Sequence, residues 1–304
     1  MMSPDVRAAI EAAVATALGP GRAIGRAAKA SGGCIHDSFV VESGSERLFV
    51  KTNGAAFCSA FASEADGLAA LTAAGMRAPQ PLGHGVASNR AYLVMEYLDL
   101  NLGSRGDWTA MGRALAAMHR ATVGQASVQA VGRYGWRRDN FIGTTPQSNP
   151  GRDDWTVFWR DARLLPQLVL ARGNGLGARL LDAGERLAEV LPKLLGGRSP
   201  PASLLHGDLW SGNAAFLADG SPALFDPAVY LGDREADVAM TELFGGFAPG
   251  FYAAYAEAWP LDTGYALRRD LYNLYHVLNH ANLFGGRYPA QAQALIGRLL
   301  SATR

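Results

Sequence analysis

The sequence predicts an α+β chain of two lobes, on three observations. Strand-like runs crowd into the first hundred residues, helix-like runs fill the remainder, and a short Gly-containing connector at 98–104 parts them. The boundaries that follow are 1–98 for a small antiparallel-sheet N-lobe carrying one helix, and 99–304 for a larger, mainly helical C-lobe. At roughly 100–200 residues per domain, a chain of 304 residues accommodates both. A cleft between two such lobes is a common place for a ligand.

Taken in order, residues 4–18 place Val6, Ile10 and Val14 on one helical face. AIGRAAKA (23–30) is a weak strand, SGGCIHDS (31–38) a Gly-containing loop, FVVES (39–43) a strand, GSE (44–46) a turn and RLFVKT (47–52) a clear second strand. Helical register returns at 59–74 through Phe61, Ala65, Leu68 and Leu71. PQPLGHG (79–85) reads as irregular, and AYLVMEYL (91–98) as a buried strand. Helices are expected at 108–122, 155–171, 177–195, 235–247, 250–258, 267–284 and 289–302, with loop-rich stretches at 132–154 and 203–234.

Composition narrows the function. With 28 Lys+Arg against 27 Asp+Glu the net charge is +1, too balanced for a dedicated nucleic-acid or anionic-membrane binder. Hydrophobic residues make up 49%, enough for a packed core, yet no uncharged apolar run reaches the ~18 residues of a membrane span. Asp5, Arg7 and Glu11 interrupt the block that a signal peptide would need. Two cysteines, Cys34 and Cys58, make no disulfide framework, and a reducing cytoplasm is the expected compartment. Only Lys29, Lys51 and Lys193 are lysines; the other 25 basic residues are Arg. A Lys in an apolar strand of such a chain invites a chemical explanation, because an ammonium is a compact point charge and a guanidinium a flat fork.

The chemistry concentrates in LLHGDLWSGN (204–213) and ALFDP (223–227). Asp208 and Asn213 stand five apart, and Asp226 follows beyond a hairpin turned at ADGS (218–221). Asn213 and Asp226 supply hard oxygen ligands for Mg²⁺, leaving Asp208 to direct an attacking hydroxyl; protein-kinase-type phosphoryl transfer uses this set. Gly-Asp alone is ordinary turn chemistry. The order Lys51, Glu64, Asp208, Asn213, Asp226, each in a fitting setting, is what carries the reading. Lys51 is expected on the ATP α/β-phosphates, paired with Glu64 on the next helix. Gly32 and Gly33 suit close backbone approach to phosphate, although G-x-G-x-x-G is missing. No G-x-x-x-x-G-K-[ST] occurs, and GPGRAIG (19–25) follows a helix, so Walker-type and dinucleotide folds are disfavoured.

HGDLWSGN followed by FDPAVYLGDREADVAMTELFGGF resembles the fructosamine/ketosamine-3-kinase family, which has a protein-kinase-like fold related to aminoglycoside and choline kinases. The resemblance runs through SGGCI, LFVKTN, LVMEYL, LAAMHR, YGWRRDNFIGTTPQSN, DWTVFWRDARLLPQL and LYNLYHVLNHANLFG. It implies ATP- and Mg²⁺-dependent phosphorylation of O3 of a free or protein-bound ketosamine, whose product then releases the amine. By motif, Asp208 becomes the catalytic base, Asn213 and Asp226 the metal ligands, and Lys51 with Glu64 the ATP anchor. Glu96, Tyr97 and Leu98 become the adenine hinge, and Trp210 and His280 ketosamine contacts. The long loop 134–149 is proposed as a wall of the acceptor pocket, with Asn140 and Gln147 reaching substrate. The resemblance also suggests Cys34 as a redox-sensitive thiol, hence a monomer or a disulfide-linked homodimer. His36-Asp37 departs from the family pattern, and Asp37 would repel phosphates unless it points away. A kinase of the aminoglycoside or choline type with another acceptor is the alternative.

Overall fold

The computed structural model describes residues 2–30, 35–101, 106–123 and 132–303. Its contacts divide the chain into two compact units, 1–107 with 214–227, and 108–213 with 228–304. The sequence boundary makes a single cut near 98; the structure returns the hairpin at 214–227 to the first unit.

In the first unit, strands β1 (Arg26–Lys29), β2 (Asp37–Ser43), β3 (Glu46–Gly54), β4 (Pro81–Ala87) and β5 (Arg90–Glu96) form one sheet in the order β1-β2-β3-β5-β4. Every pairing is antiparallel. Helix α1 (Pro4–Leu18) starts where the Ser3 side chain accepts from Val6 N and Pro4 pre-sets the backbone, and it stops at Gly19 with φ +91°. Its Val6, Ile10 and Val14 bury against Phe39, Val41, Leu48, Val50, Tyr92 and Val94. Helix α2 (Cys58–Ala73) packs on β4 and β5 through Phe61, Leu68 and Leu71. The sheet thus carries two helices where one was expected. Because side chains alternate along a strand, Val50 joins the α1 core while Lys51 points the other way. PQPLGHG is not irregular: Pro81–Ala87 pairs with β5, with a register shift between Pro81 and Gly83. Gly and Pro hid an edge strand that tolerates both. The returning hairpin, β9 (Ala214–Phe216) with β10 (Pro222–Leu224), is tied to this unit by Leu224 N donating to Arg77 O.

The second unit is mostly helical: α3 (Trp108–Ala121), α4 (Trp155–Trp159), α5 (Leu165–Gly173), α6 (Ala178–Leu195), α7 (Glu235–Thr241), α8 (Pro249–Ala258), α9 (Tyr265–Phe284) and α10 (Tyr288–Ser301). Between α4 and α5 runs a π turn, Arg160–Leu164, so the single helix expected at 155–171 is three segments. The helix expected at 235–247 ends at Thr241, ahead of Gly245 and Gly246, both at positive φ. Strands β8 (Ala202–Leu205) and β11 (Tyr230–Asp233) pair antiparallel, and the 132–154 stretch contains the hairpin β6 (Asn140–Ile142) and β7 (Thr145–Gln147). Trp155, Phe158 and Trp159 are buried, as core residues should be.

Candidate active site

In the first unit, strand register sets Lys51 opposite α2. Lys51 Nζ is buried and donates to Glu64 Oε1 at 2.6 Å and also to Asp226 Oδ1. Burial opposes charge on the amine, but the carboxylates of Asp226 and Glu64 outweigh it and hold the ammonium above its ordinary range. Asp226 sits two residues past β10 at φ +57°, a conformation that Asp tolerates better than most residues. The Lys51–Glu64 pair expected from the sequence is therefore formed, and Asp226 joins it.

Gly32, Gly33 and Cys34 lie outside the described residues. The residues that follow answer the concern over Asp37. Its carboxylate accepts from Lys29 Nζ at 3.1 Å and from Arg90 at 2.8 Å, partners that hold it below the usual carboxylate range. His36 packs against Phe57 and Phe61 and accepts at Nδ1 from Asn53 Nδ2, which also donates to Ile35 O. Burial, reinforced by the charge of Lys51, pushes its imidazole down to about 4, so it is neutral at pH 7. At the expected hinge, Glu96 N donates to Gln80 O within the sheet and its carboxylate is bidentate to Arg77. Glu96 N–H is thereby committed within the sheet.

In the second unit, β8 delivers His206, Gly207 and Asp208. Asp237 on α7 accepts from His206 N at 2.7 Å through Oδ2 and from Gly207 N at 2.9 Å through Oδ1. Behind it, His119 lies between Asp237 and the Tyr255 hydroxyl. Burial works against charge on Asp237, but His119, His206 and the loop amide outweigh it and hold the carboxyl below its ordinary range. Gly207 turns at φ +80°, where a Cβ would meet Ala228 O at 2.1 Å. The Asn213 amide donates to Asp208 O at 2.8 Å and Oδ2 at 3.1 Å, which leaves its Oδ1 as the acceptor atom. Asn213 directly precedes β9, and Asp226 lies two residues past β10. An amide oxygen and a carboxylate are each oxygen donors of the kind that Mg²⁺ takes.

Trp210 is 37% exposed, and its ring lies over Gly212, where a Cβ would meet it at 2.3 Å. Its edge approaches Phe244, which packs against His280 at 4.6 Å between centroids. His280 Nδ1 donates to His276 O, leaving Nε2 as acceptor. Asn140 is buried and fully engaged within the second unit. Its amide donates to Val229 O and accepts from Gln147 and Asn149, while Gln147 also donates to Ala228 O and accepts from Tyr275. Both side chains are buried and hold the backbone that follows Asp226, so the expected substrate contacts are corrected to a structural role. Sequence reasoning passed over His276, whose Nδ1 stands 4.0 Å from Asp208 Oδ1.

The fructosamine kinase family model matches residues 6–302. The probable ketoamine kinase of Synechocystis sp. is 46% identical over 274 residues, 89% of this chain and 88% of that protein. A chloroplastic protein-ribulosamine 3-kinase of Oryza sativa is 40% identical over 267 residues, 87% of this chain and 76% of that protein. The crystal structure of a Haemophilus somnus fructosamine-3-kinase homologue superposes with a TM-score of 0.86 at 27% identity, covering 98% of this chain and 100% of that one. An aminoglycoside phosphotransferase, in complex with AMP-PNP and hygromycin B, gives 0.63 at 17% identity over 97% of this chain and 98% of that one, a likeness of fold. With its model matched from residue 6 to residue 302, this chain belongs to the fructosamine kinase family.

Proposed function

We propose that this protein transfers the γ-phosphoryl group of ATP to O3 of a ketosamine, with Asp208 as the base. The observation that carries the phosphotransfer reading is the Lys51–Glu64–Asp226 cluster, a buried ammonium held by two carboxylates. Relatives described as ketoamine and ribulosamine 3-kinases supply the acceptor class.

The roles follow from the side chains. The first unit binds the nucleotide. Lys51, kept protonated and fixed by Glu64, neutralises phosphate oxygens, and Tyr97 and Leu98 offer backbone groups to adenine. The second unit binds the acceptor and carries the base. Asp208 takes the proton of the attacking hydroxyl as its oxygen bonds to the γ-phosphorus and the bond to the β-phosphate bridging oxygen breaks. Asn213 orients Asp208 through Oδ2, and Asp237 fixes the two preceding amides, so the carboxylate is set before substrate arrives. Asn213 Oδ1 and Asp226 would hold Mg²⁺, which when bound screens the phosphate charge. Trp210 supplies an aromatic face beside Asp208, and His280 an acceptor nitrogen.

ATP consumption and product mass over fructosyl-, ribulosyl- and erythrulosyl-lysine, with an aminoglycoside control, test the reading. Turnover is expected on at least one ketosamine. Asp208→Ala should reduce kcat by a factor of about 100 or more while ATP still binds. Turnover on the aminoglycoside alone, or full activity in Asp208→Ala, would refute it.

A further inference from the structure

Arg163 is wholly buried, in the π turn between α4 and α5. Arginines so deeply placed normally sit on a carboxylate, as Arg268 does on Glu235. Arg163 instead meets neutral acceptors. Its Nη1 donates to Ser148 O at 2.8 Å and to Ala162 O at 2.9 Å, and its Nη2 to Asn149 Oδ1 at 2.7 Å. The other compensation is aromatic: the guanidinium carbon lies 4.0 Å from the Tyr230 ring centroid and 4.7 Å from that of Phe158, with Tyr275 at 5.6 Å. A cation held in this way pays a desolvation cost that no ion pair returns, whereas an apolar side chain would fill the same space without it.

The guanidinium fork stands at one end of a continuous chain of hydrogen bonds. Asn149 Nδ2 donates to Asn140 Oδ1 at 3.0 Å. Asn140 donates to Val229 O at 2.8 Å, and Gln147 donates both to Asn140 Oδ1 and to Ala228 O. Tyr275, one of the three rings around the guanidinium, donates to Gln147 Oε1 at 2.7 Å. At the far end Ala228 N donates to His206 O at 2.8 Å, and Ala228 O is the atom that leaves Gly207 no room for a Cβ. Gly207 directly precedes Asp208. Every one of these residues belongs to the second unit, so the chain of contacts runs inside one packed body.

We propose that Arg163 is a positioning residue for phosphoryl transfer, which through Asn149, Asn140 and Gln147 sets the 228–229 backbone against the His206-Gly207-Asp208 turn. This rests on the assignment of Asp208 as the base. Arg163 acts only through the turn, so its loss should slow the chemical step and spare the affinity for either substrate. A flat fork is required, because two of its nitrogens serve acceptors on different residues while its face lies on Tyr230; the single ammonium of a lysine does neither.

The test uses the full-length chain with fructosyl-lysine and Mg·ATP, and reads KM for both substrates, the single-turnover rate of phosphoryl transfer and Tm. Arg163→Lys should slow single turnover about tenfold or more and move each KM less than twofold. Asn149→Asp keeps an acceptor for Arg163 but removes the donor to Asn140, so it should hold Tm and still slow single turnover about tenfold. The double variant should be no slower than the slower single one, because both changes break the same path. Leu187→Ala, on the buried face of α6, is the control: it should lower Tm and leave the single-turnover rate within twofold of wild type. An unchanged rate in folded Asn149→Asp, KM values that rise with the loss of rate, or an equal loss of rate in Leu187→Ala would overturn the proposal. If Arg163→Lys does not fold, Asn149→Asp decides alone; if neither folds, the network serves folding only and the proposal fails. A wild-type protein inactive on every ketosamine would remove the parent reading along with this one, and that is read before any variant is made.

Discussion

Asp237 shows how much one side chain can organise. Its two oxygens hold consecutive amides of the His206-Gly207-Asp208 turn, and its partner His119 is wholly buried. Asp237→Ala leaves two loop N–H groups and an imidazole without an acceptor, at a cost of at least about 2 kcal/mol, since unmade buried hydrogen bonds are expensive. We expect a Tm several degrees lower and a kcat reduced more than KM for either substrate; thermal melts and steady-state kinetics check both. Nothing in the residues around His276 marks it, because its significance lies in a neighbour 68 positions away in the chain. Asn140 and Gln147 illustrate the opposite error. Amides in a long polar loop look available, yet here they satisfy the carbonyls of Ala228 and Val229.

Among elements, the segment from β8 to β11 is the most constrained. Gly207 accepts a positive φ and the close passage of Ala228 O, and Ala228 N returns a hydrogen bond to His206 O. Gly207→Ala would add both left-handed strain, about 1 kcal/mol or more, and a collision at 2.1 Å with backbone that Gln147 holds from the other side. The expected outcome is poor soluble expression or a folded protein without measurable turnover, checked by circular dichroism and the ATP assay. Normal kinetics would mean that the turn is more compliant than its packing suggests. Elements with clean periodicity, such as α1, α6, α9 and β3, were readable within a residue or two. Those that failed had local composition at odds with their surroundings. β4 contains Pro81, Gly83 and Gly85, and is a strand because β5 offers it a ladder. The helix after Trp155 has unbroken helical periodicity, and only packing around the buried Arg163 accompanies its π turn.

At the scale of the whole molecule, acid sensitivity should follow from neutral imidazoles kept out of water. His36 and His276 have folded pKa values of about 4 and 3, below their ordinary value of 6.5. Above 6.5 both states are neutral and the full stability is present. As pH falls below it the unfolded chain binds protons first, so stability declines until the folded pKa values are reached. Tm should therefore drop between pH 7 and pH 5, and His276→Phe should flatten part of that slope. A melting temperature independent of pH over this range would contradict the buried, neutral assignment.

What the sequence determined by itself was the list of chemical groups and the fold that carries them. Lys51 in an apolar strand, Glu64 on the next helix, and the spacing of Asp208, Asn213 and Asp226 are local patterns, fixed by backbone periodicity and by the residue types that phosphoryl transfer requires. The tertiary structure alone decided which groups are satisfied and which are left over. Hydrogen-bond partnership depends on what a distant segment brings to within about 3 Å. That is why two loop amides proved to be internal braces, and why Asn273 on α9 has no partner for its Oδ1 among the described residues.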